Sequence, residues 1–383
     1  MSNTADLDLT TDAGILGYLL IALPADFPRP VEVTRLSGGL ANFVWRVKFA
    51  GALEDGKNTA VVKHAEPFLA AYRDVPFGTI RMKYEYDIYT LFANRSPVLP
   101  YLSEDGPIHV PKIFHYNPTK SILLVQDIGV HLDLKTFFST RKPSDDEAVA
   151  IGRSLGTFLV DLHNKAADTE SKAKLMEPFE NEQGRMIIQA SVHDRVGTVF
   201  AGVNGVSADT IQAATENAKS FGAELVESRE TLMMGDFWPG NIIVESDASG
   251  RYLGKLWIVD WEICRYGLRS LDVGQFSAEA YLLSRFRNPV ARSMLTAFHR
   301  AYVRGFLKGK SEGLRRAFMQ QVSVQFGSHI VVWAEAAGWT KDQQELEETV
   351  KVGADYIENA TREDKWESGE LAELADSLHS TDN

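Results

Sequence analysis

Apolar residues follow two patterns along this chain, short alternating runs before about residue 129 and helical spacing after it. Val31 to Ser37, Asn42 to Phe49 and Thr59 to His64 predict three strands, the second alternating through Phe43, Trp45 and Lys48–Phe49. Pro111 to Tyr116 and Ser121 to Gln126 predict two more. Two helices belong with them. The apolar stretch Ile15 to Leu23 has Thr10, Thr11 and Asp12 as N-cap residues and Pro24 as its stop. Thr79 to Phe92 carries Ile80, Tyr84, Ile88 and Leu91 at helical spacing. Farther on, Asp145 to Asn164 places Val149, Leu155, Phe158, Leu159 and Leu162 on one face of a helix. Further helices are expected at 171–190, 208–228, 271–286, 289–308, 311–337 and 340–360. The pattern predicts an α+β chain with an N-terminal part (1–128) built on a five-stranded antiparallel sheet and a mainly helical C-terminal part (129–362). Residues 363–383 are acidic and short of apolar side chains, which predicts a flexible, frayed end.

Composition narrows the functional classes. With 383 residues the chain exceeds one ordinary core and suits two lobes. Its net charge of −12, with no run of Lys and Arg, argues against a nucleic-acid or anionic-membrane partner. The stretch Ile15 to Leu23 is too short to span a bilayer and lacks the basic leader of a signal peptide, so a cytoplasmic protein is expected. The lone Cys264 excludes internal disulfides and fits a reducing compartment, where a single cysteine is usually a packed apolar residue. A homodimer is compatible with the sequence.

The chemistry concentrates in two fragments. Met234-Gly235-Asp236-Phe237-Trp238-Pro239-Gly240-Asn241 is a turn-rich loop feeding the apolar run Ile242-Ile243-Val244. Leu256-Trp257-Ile258-Val259-Asp260-Trp261-Glu262 reads as a strand that delivers Asp260 at its end. Asp236 and Asn241 stand at the Asp-x-x-x-x-Asn spacing of a kinase catalytic loop. Phosphoryl transfer needs a carboxylate to orient and deprotonate a hydroxyl, and hard oxygen ligands to hold Mg²⁺ on phosphates. Taken singly, each fragment is equally a set of turn-forming acids and amides; their order and their separation of 24 residues favour the kinase reading.

Gly235 to Asn241 resembles the catalytic loop of the aminoglycoside phosphotransferase and choline kinase superfamily, small-molecule kinases with a bilobal protein-kinase-like fold. Asp260-Trp261-Glu262 resembles the Asp-x-Glu metal motif of methylthioribose kinase, and the Arg81-to-Glu85 spacing is similar to that enzyme's too. Two departures stand out. Met234 replaces the family's usual His before Gly-Asp, and Val331–Val332, in His329-Ile330-Val331-Val332-Trp333, stands where methylthioribose kinase has two sugar-binding arginines.

The resemblance implies a small lobe and hinge that clamp ATP with Mg²⁺. Ser37, Gly38, Gly39 and Asn42 would cover the phosphates, in a stretch that by itself reads as a plain hairpin turn. Lys63, paired with Glu85, would reach the α- and β-phosphates, and Gln126 and Ile128 would flank the adenine at the hinge. Asn241, Asp260 and Glu262 would hold the metal, and Asp236 would take the acceptor's proton. Phe237 and Trp238 either wall the acceptor pocket or pack in the core. His163 reads as a structural histidine, and Asp272 as a helix cap that braces the catalytic loop. The expected acceptor is a hydroxyl of a small metabolite, with a non-catalytic nucleotide-binding module, methylthioribose kinase itself and, more remotely, a protein kinase as the competing readings.

Overall fold

The computed structural model describes residues 7–36, 39–200 and 202–375. Its strands are β1 (Pro30–Arg35), β2 (Phe43–Phe49), β3 (Thr59–His64), β4 (Ile108–His109), β5 (Ile113–Asn117), β6 (Ile122–Gln126), β7 (Leu132–Asp133), β8 (Thr231–Met233), β9 (Ile242–Ser246), β10 (Tyr252–Ile258) and β11 (Arg265–Gly267). The chain divides into two compact units, one of Met1–Arg95 with Val110–Val130, the other of Ser96–His109 with His131–Asn383.

The first unit is built on an antiparallel sheet in the order β1-β2-β3-β6-β5, the five strands expected from the sequence. In β2 the inward phase is Phe43, Trp45, Val47 and Phe49, all buried, while Lys48 is exposed. Helix α1 (Asp12–Ala22) covers this face with Ile15, Tyr18 and Leu19. Thr11 caps it through Gly14 N–H, and Asp12 accepts the Trp45 indole N–H at 2.8 Å, so one helix end is fixed to the sheet by a polar contact. Helix α2 (Arg81–Ala93) buries Arg81, Met82, Glu85, Ile88, Tyr89 and Phe92.

The second unit has a four-stranded sheet, β4-β10-β9-β7, and the two-stranded β11-β8. The short strands β4 and β7 carry too few residues to show any alternation. Its helices are α3 (Leu134–Thr140), α4 (Asp145–Ala167), α5 (Thr169–Leu175), α6 (Glu182–Ser191), α7 (Val196–Phe200), α8 (Ala208–Glu227), α9 (Ser270–Phe286), α10 (Ala291–Tyr302), α11 (Glu312–Ala336), α12 (Gln343–Glu358), α13 (Glu363–Ser368) and α14 (Ala372–Ala375). Helix α4 starts in a complete capping box between Ser144 and Glu147 and packs on α10; α11 packs on α9 and α12.

Three expectations need correction. The helix expected over 171–190 is broken into α5 and α6 around Pro178, whose ring and missing N–H stop a helix, and Asn181 restarts it from a left-handed conformation. Residues 363–375 are not frayed. They form α13 and α14, and their large apolar residues, Trp366, Leu371 and Leu374, are buried. Asp272 is not the cap of α9, since Arg269 occupies that position and Asp272 lies in the first turn. Among the described residues, no helix is long and apolar enough to cross a membrane.

Candidate active site

The loop bearing Asp236 joins β8 to β9 and closes in a 3₁₀ turn over Pro239–Asn241. Gly235 has φ +83°, and a Cβ there would lie 2.7 Å from the carbonyl oxygen of Ile263, so the turn requires glycine. Asp272 holds the loop from below. Its two carboxylate oxygens accept the N–H groups of Met234 (2.8 Å) and Gly235 (2.9 Å), and His163 Nε2 lies 3.3 Å from the same carboxylate. The other nitrogen of His163 pairs with the Tyr302 hydroxyl at 2.8 Å. His163 is therefore structural and Asp272 braces the loop, as expected. Met234 is fully buried and takes part in this bracing through its backbone alone.

Asp236 stands in a ring of amides. Asn241 Nδ2 donates to its carbonyl oxygen (3.0 Å) and to Oδ2 (2.9 Å), and Gln275 Nε2 donates to Oδ1 at 2.6 Å. Burial, with the charge of Asp260 adding to it, pushes the Asp236 carboxyl above its ordinary value, while the two amides pull it back. Asp260 follows β10 with φ +62°, a left-handed conformation that costs a non-glycine residue about 1 kcal/mol or more. The N–H of Val259 donates to Asn241 O at 3.0 Å, which ties the two motifs through the main chain.

The donor set suits a hard divalent cation. Asn241 spends Nδ2 on Asp236, which leaves its Oδ1 as a candidate oxygen donor, with the carboxylates of Asp260 and Glu262 the other candidates from the motif that follows. Among the described residues, no cluster of three His, Cys, Asp or Glu forms a complete metal cage. A Mg²⁺ ion held here would take only one or two carboxylates from the protein and complete its shell with waters and phosphate oxygens. The mutual repulsion of Asp236 and Asp260 is what a cation would relieve.

In the first unit, Lys63 Nζ lies 2.7 and 2.9 Å from the two oxygens of Glu85, and the Tyr89 hydroxyl donates to Glu85 Oε1 at 3.0 Å. Both partners are buried, so removing either one strands a charge at a cost of about 3–5 kcal/mol. Asn42 is buried and accepts Arg81 Nε–H at 2.8 Å through Oδ1. Gly39 is exposed at the turn between β1 and β2; Ser37 and Gly38 lie outside the described residues. Gln126 ends β6 with its side chain buried. The carbonyl oxygens of Asp127 and Ile128 accept Lys57 Nζ–H at 2.9 and 3.1 Å.

Phe237 belongs to the core and not to a pocket wall. It is fully buried, with its ring centroid 5.4 Å from Phe276 and 6.3 Å from Phe298. Trp238 is half-buried, with Lys135 Nζ 5.5 Å from its ring centroid and 3.9 Å from that of Trp339. Val331 and Val332 are core residues as well. Cys264 is buried.

Four residues escaped the sequence reading: Gln275, Glu279, His329 and Lys135. Gln275 and Glu279 stand at i and i+4 on α9, one turn apart on the same face. Glu279 Oε1 pairs with His329 Nε2 at 2.8 Å, and Oε2 is buried with no hydrogen-bond partner among the described residues. The signal was present, because two long polar side chains at helical spacing in a segment otherwise rich in small and apolar residues call for buried partners.

The chain is 30% identical over 370 residues to a 4-hydroxytryptamine kinase of Psilocybe cyanescens, covering 96% of this chain and 97% of that one. It is 28% identical over 341 residues to a 4-hydroxytryptamine kinase of Psilocybe cubensis, covering 88% and 90%. The crystal structure of choline kinase from Cryptosporidium parvum Iowa II matches with a TM-score of 0.50 over 95% of this chain and 98% of that one, at 11% identity, a likeness of fold. Residues 32–314 match the model described as "Phosphotransferase enzyme family", and the chain, a kinase acting on a small-molecule hydroxyl, belongs to that family.

Proposed function

We propose that this kinase transfers the γ-phosphoryl group of ATP, with Mg²⁺, to the ring hydroxyl of a hydroxylated aromatic amine of the 4-hydroxytryptamine kind. The observation that carries the acceptor class is Glu279. It is a buried acid one helical turn from the residue that holds Asp236, with one oxygen still able to accept an N–H. An ammonium is the natural partner of such a carboxylate, although Lys135, whose burial pulls its pKa down, shares the field of Glu279. Trp238 and Trp333 add aromatic surface suited to an indole ring. The names of the two Psilocybe relatives point to the same acceptor.

In this reading Asp236 accepts a hydrogen bond from the acceptor hydroxyl and takes its proton as the phosphoryl group leaves. Gln275 and Asn241 fix the carboxylate so that one geometry is populated before substrate arrives. Lys63, held by Glu85, binds the α- and β-phosphates. The turn with Ser37, Gly38, Gly39 and Asn42 covers the phosphates, and the main chain at Gln126 and Ile128 meets the adenine. Asn241, Asp260 and Glu262 hold Mg²⁺, which when bound neutralises phosphate charge. The corresponding setting is the cytoplasm, with a small-molecule acceptor, no nucleic-acid or membrane partner, and a monomer or homodimer.

The test is a coupled ATPase screen with 4-hydroxytryptamine, choline, ethanolamine, aminoglycosides and methylthioribose, followed by mass detection of a phosphomonoester. The expected result is a phosphate ester on the hydroxyindole with kcat/KM at least a hundredfold above the other acceptors. Turnover of choline or methylthioribose at a comparable rate overturns the acceptor assignment. Melting that is unmoved by Mg²⁺ and a non-hydrolysable ATP analogue overturns the nucleotide site.

A further inference from the structure

Arg81 is a buried arginine in the first turn of α2, only 1% exposed. A guanidinium has five N–H donors, and all five are engaged here. Nε donates to Asn42 Oδ1 at 2.8 Å. Nη1 donates to the carbonyl oxygens of Phe77 (2.6 Å) and Gly78 (2.8 Å), and Nη2 to those of Ala41 (2.9 Å) and Phe68 (3.4 Å). These acceptors come from three places: the chain leaving the glycine turn, the connection before α2, and the entry to α2 itself. The same strap is visible in the main chain, where Ala70 and Ala71 donate to the carbonyl oxygens of Ala41 and Leu40.

We infer that Arg81 is a positioning residue for the nucleotide, coupling the glycine turn at 36–42 to the Lys63–Glu85 pair. Glu85 stands four residues after Arg81 on the same face of α2. The rotation of α2 that points Glu85 at Lys63 is therefore set one turn earlier, by a side chain that also holds Ala41 and Asn42. No N-cap side chain supports this helix start: Ile80 precedes it and makes no capping bond. Arg81 does not cap the N–H groups there, since a guanidinium only donates; its grip on the carbonyl oxygens of Phe77 and Gly78 instead fixes how the chain enters the helix. One planar fork thus sets the spacing between the two elements that would contact the phosphates. A lysine at this position keeps the charge but offers a single tetrahedral ammonium, which cannot serve acceptors spread across the fork.

This inference rests on the proposed nucleotide site, so the experiment includes Lys63→Ala as its control. Full-length Arg81→Lys and Arg81→Gln are compared with the wild type in nucleotide KM, acceptor KM, kcat and ligand-free melting. For Arg81→Lys the expected result is a rise in nucleotide KM of at least tenfold, an acceptor KM changed by less than threefold, and faster amide hydrogen exchange confined to residues 36–45 and 66–85. Arg81→Gln should show the same split, more strongly. If Lys63→Ala leaves nucleotide KM unchanged, the nucleotide site itself is misassigned. If Lys63→Ala raises it while Arg81→Lys does not, only the coupling role falls. Parallel loss in both substrates, or failure of both Arg81 variants to fold, leaves Arg81 a scaffold residue and overturns the inference.

Discussion

Gln275 donates an amide hydrogen to Asp236 Oδ1 at 2.6 Å, joining the middle of a buried helix to the residue that would take the acceptor's proton. The bond favours the ionised carboxylate against burial and the nearby Asp260 charge, which both favour the acid. Gln275→Leu should push the Asp236 carboxyl higher still. The expected outcome is a kcat about 10–100-fold lower at neutral pH, with the acid limb of the kcat–pH profile moved to higher pH, read from initial rates between pH 5 and 9. Asp236→Asn should cost about 10²–10⁴ in kcat at every pH, the range of a positioned general base. An unmoved acid limb in Gln275→Leu would show that the contact does not tune Asp236.

Glu279 makes a separate prediction, about which acceptors bind. A charge-assisted hydrogen bond is worth about 1.5–3 kcal/mol, or roughly 10–150-fold. Glu279→Gln should raise KM for 4-hydroxytryptamine by that factor and leave KM for a hydroxyindole without the aminoethyl chain within about threefold. His329→Gln should act in the same direction and more weakly, because it loosens Glu279 without removing its charge. Equal losses on the amine and on the amine-free hydroxyindole would assign Glu279 to packing.

Met234 stands where relatives of the superfamily carry histidine, and its side chain is fully buried. What Asp272 takes from this position is the backbone N–H, which any residue supplies. Met234→His should therefore change kcat less than tenfold. It should also lower stability by about 1–3 kcal/mol, since a buried imidazole needs hydrogen-bond partners that the methionine side chain did not. Activity assays and urea unfolding of the same preparation check both halves; a gain of several orders of magnitude in kcat would mark this chain as a degraded enzyme.

The parts of the molecule that alternate or punctuate were legible in the sequence. Strand β2 follows from alternation, β3 from the apolar run Ala60-Val61-Val62 that ends in Lys63, and the loop at 234–241 from Gly235, Pro239 and Asn241 at fixed spacing. The partners of Gln275 and Glu279 were not legible, for a physical reason. Their spacing calls for buried partners, but helix α9 is buried on nearly every face and shows no amphipathic stripe to say which partner lies on which side. In α11 the same difficulty hid His329, next to Val331 and Val332, which are core. Phe237 could not be assigned because an aromatic beside a catalytic acid serves a pocket or a core equally well, and its contacts with Phe276 and Phe298 decide for the core. At the far end, composition averaged over 363–383 concealed the single large anchor, Trp366.

Acid should destabilise the protein well before its carboxylates titrate, because of three buried histidines. Burial pulls His193 down to about 4 and His299 down to about 3, and lowers His163 as well. In the unfolded chain each has a value near 6.5. A group whose folded value is depressed binds more protons unfolded than folded below 6.5. Its contribution to stability is therefore complete above that pH and is lost as pH falls towards the folded value. His193 and His299 should each remove about 1.4 kcal/mol per pH unit once pH is well below 6.5 and still above their folded values, with His163 acting in the same direction. Asp236 opposes this over its own window, because its raised carboxyl binds a proton more tightly folded than unfolded. Urea unfolding at pH 7.5, 6.0 and 5.0 should show stability nearly level down to about 6.5 and falling steeply below. His299→Gln, which keeps a hydrogen-bonding group near Ser277, should be less stable at pH 7.5 but have a shallower slope below 6.5. Stability that stays level between pH 7.5 and 5.0 would mean that these histidines find protons, or water, in the folded state.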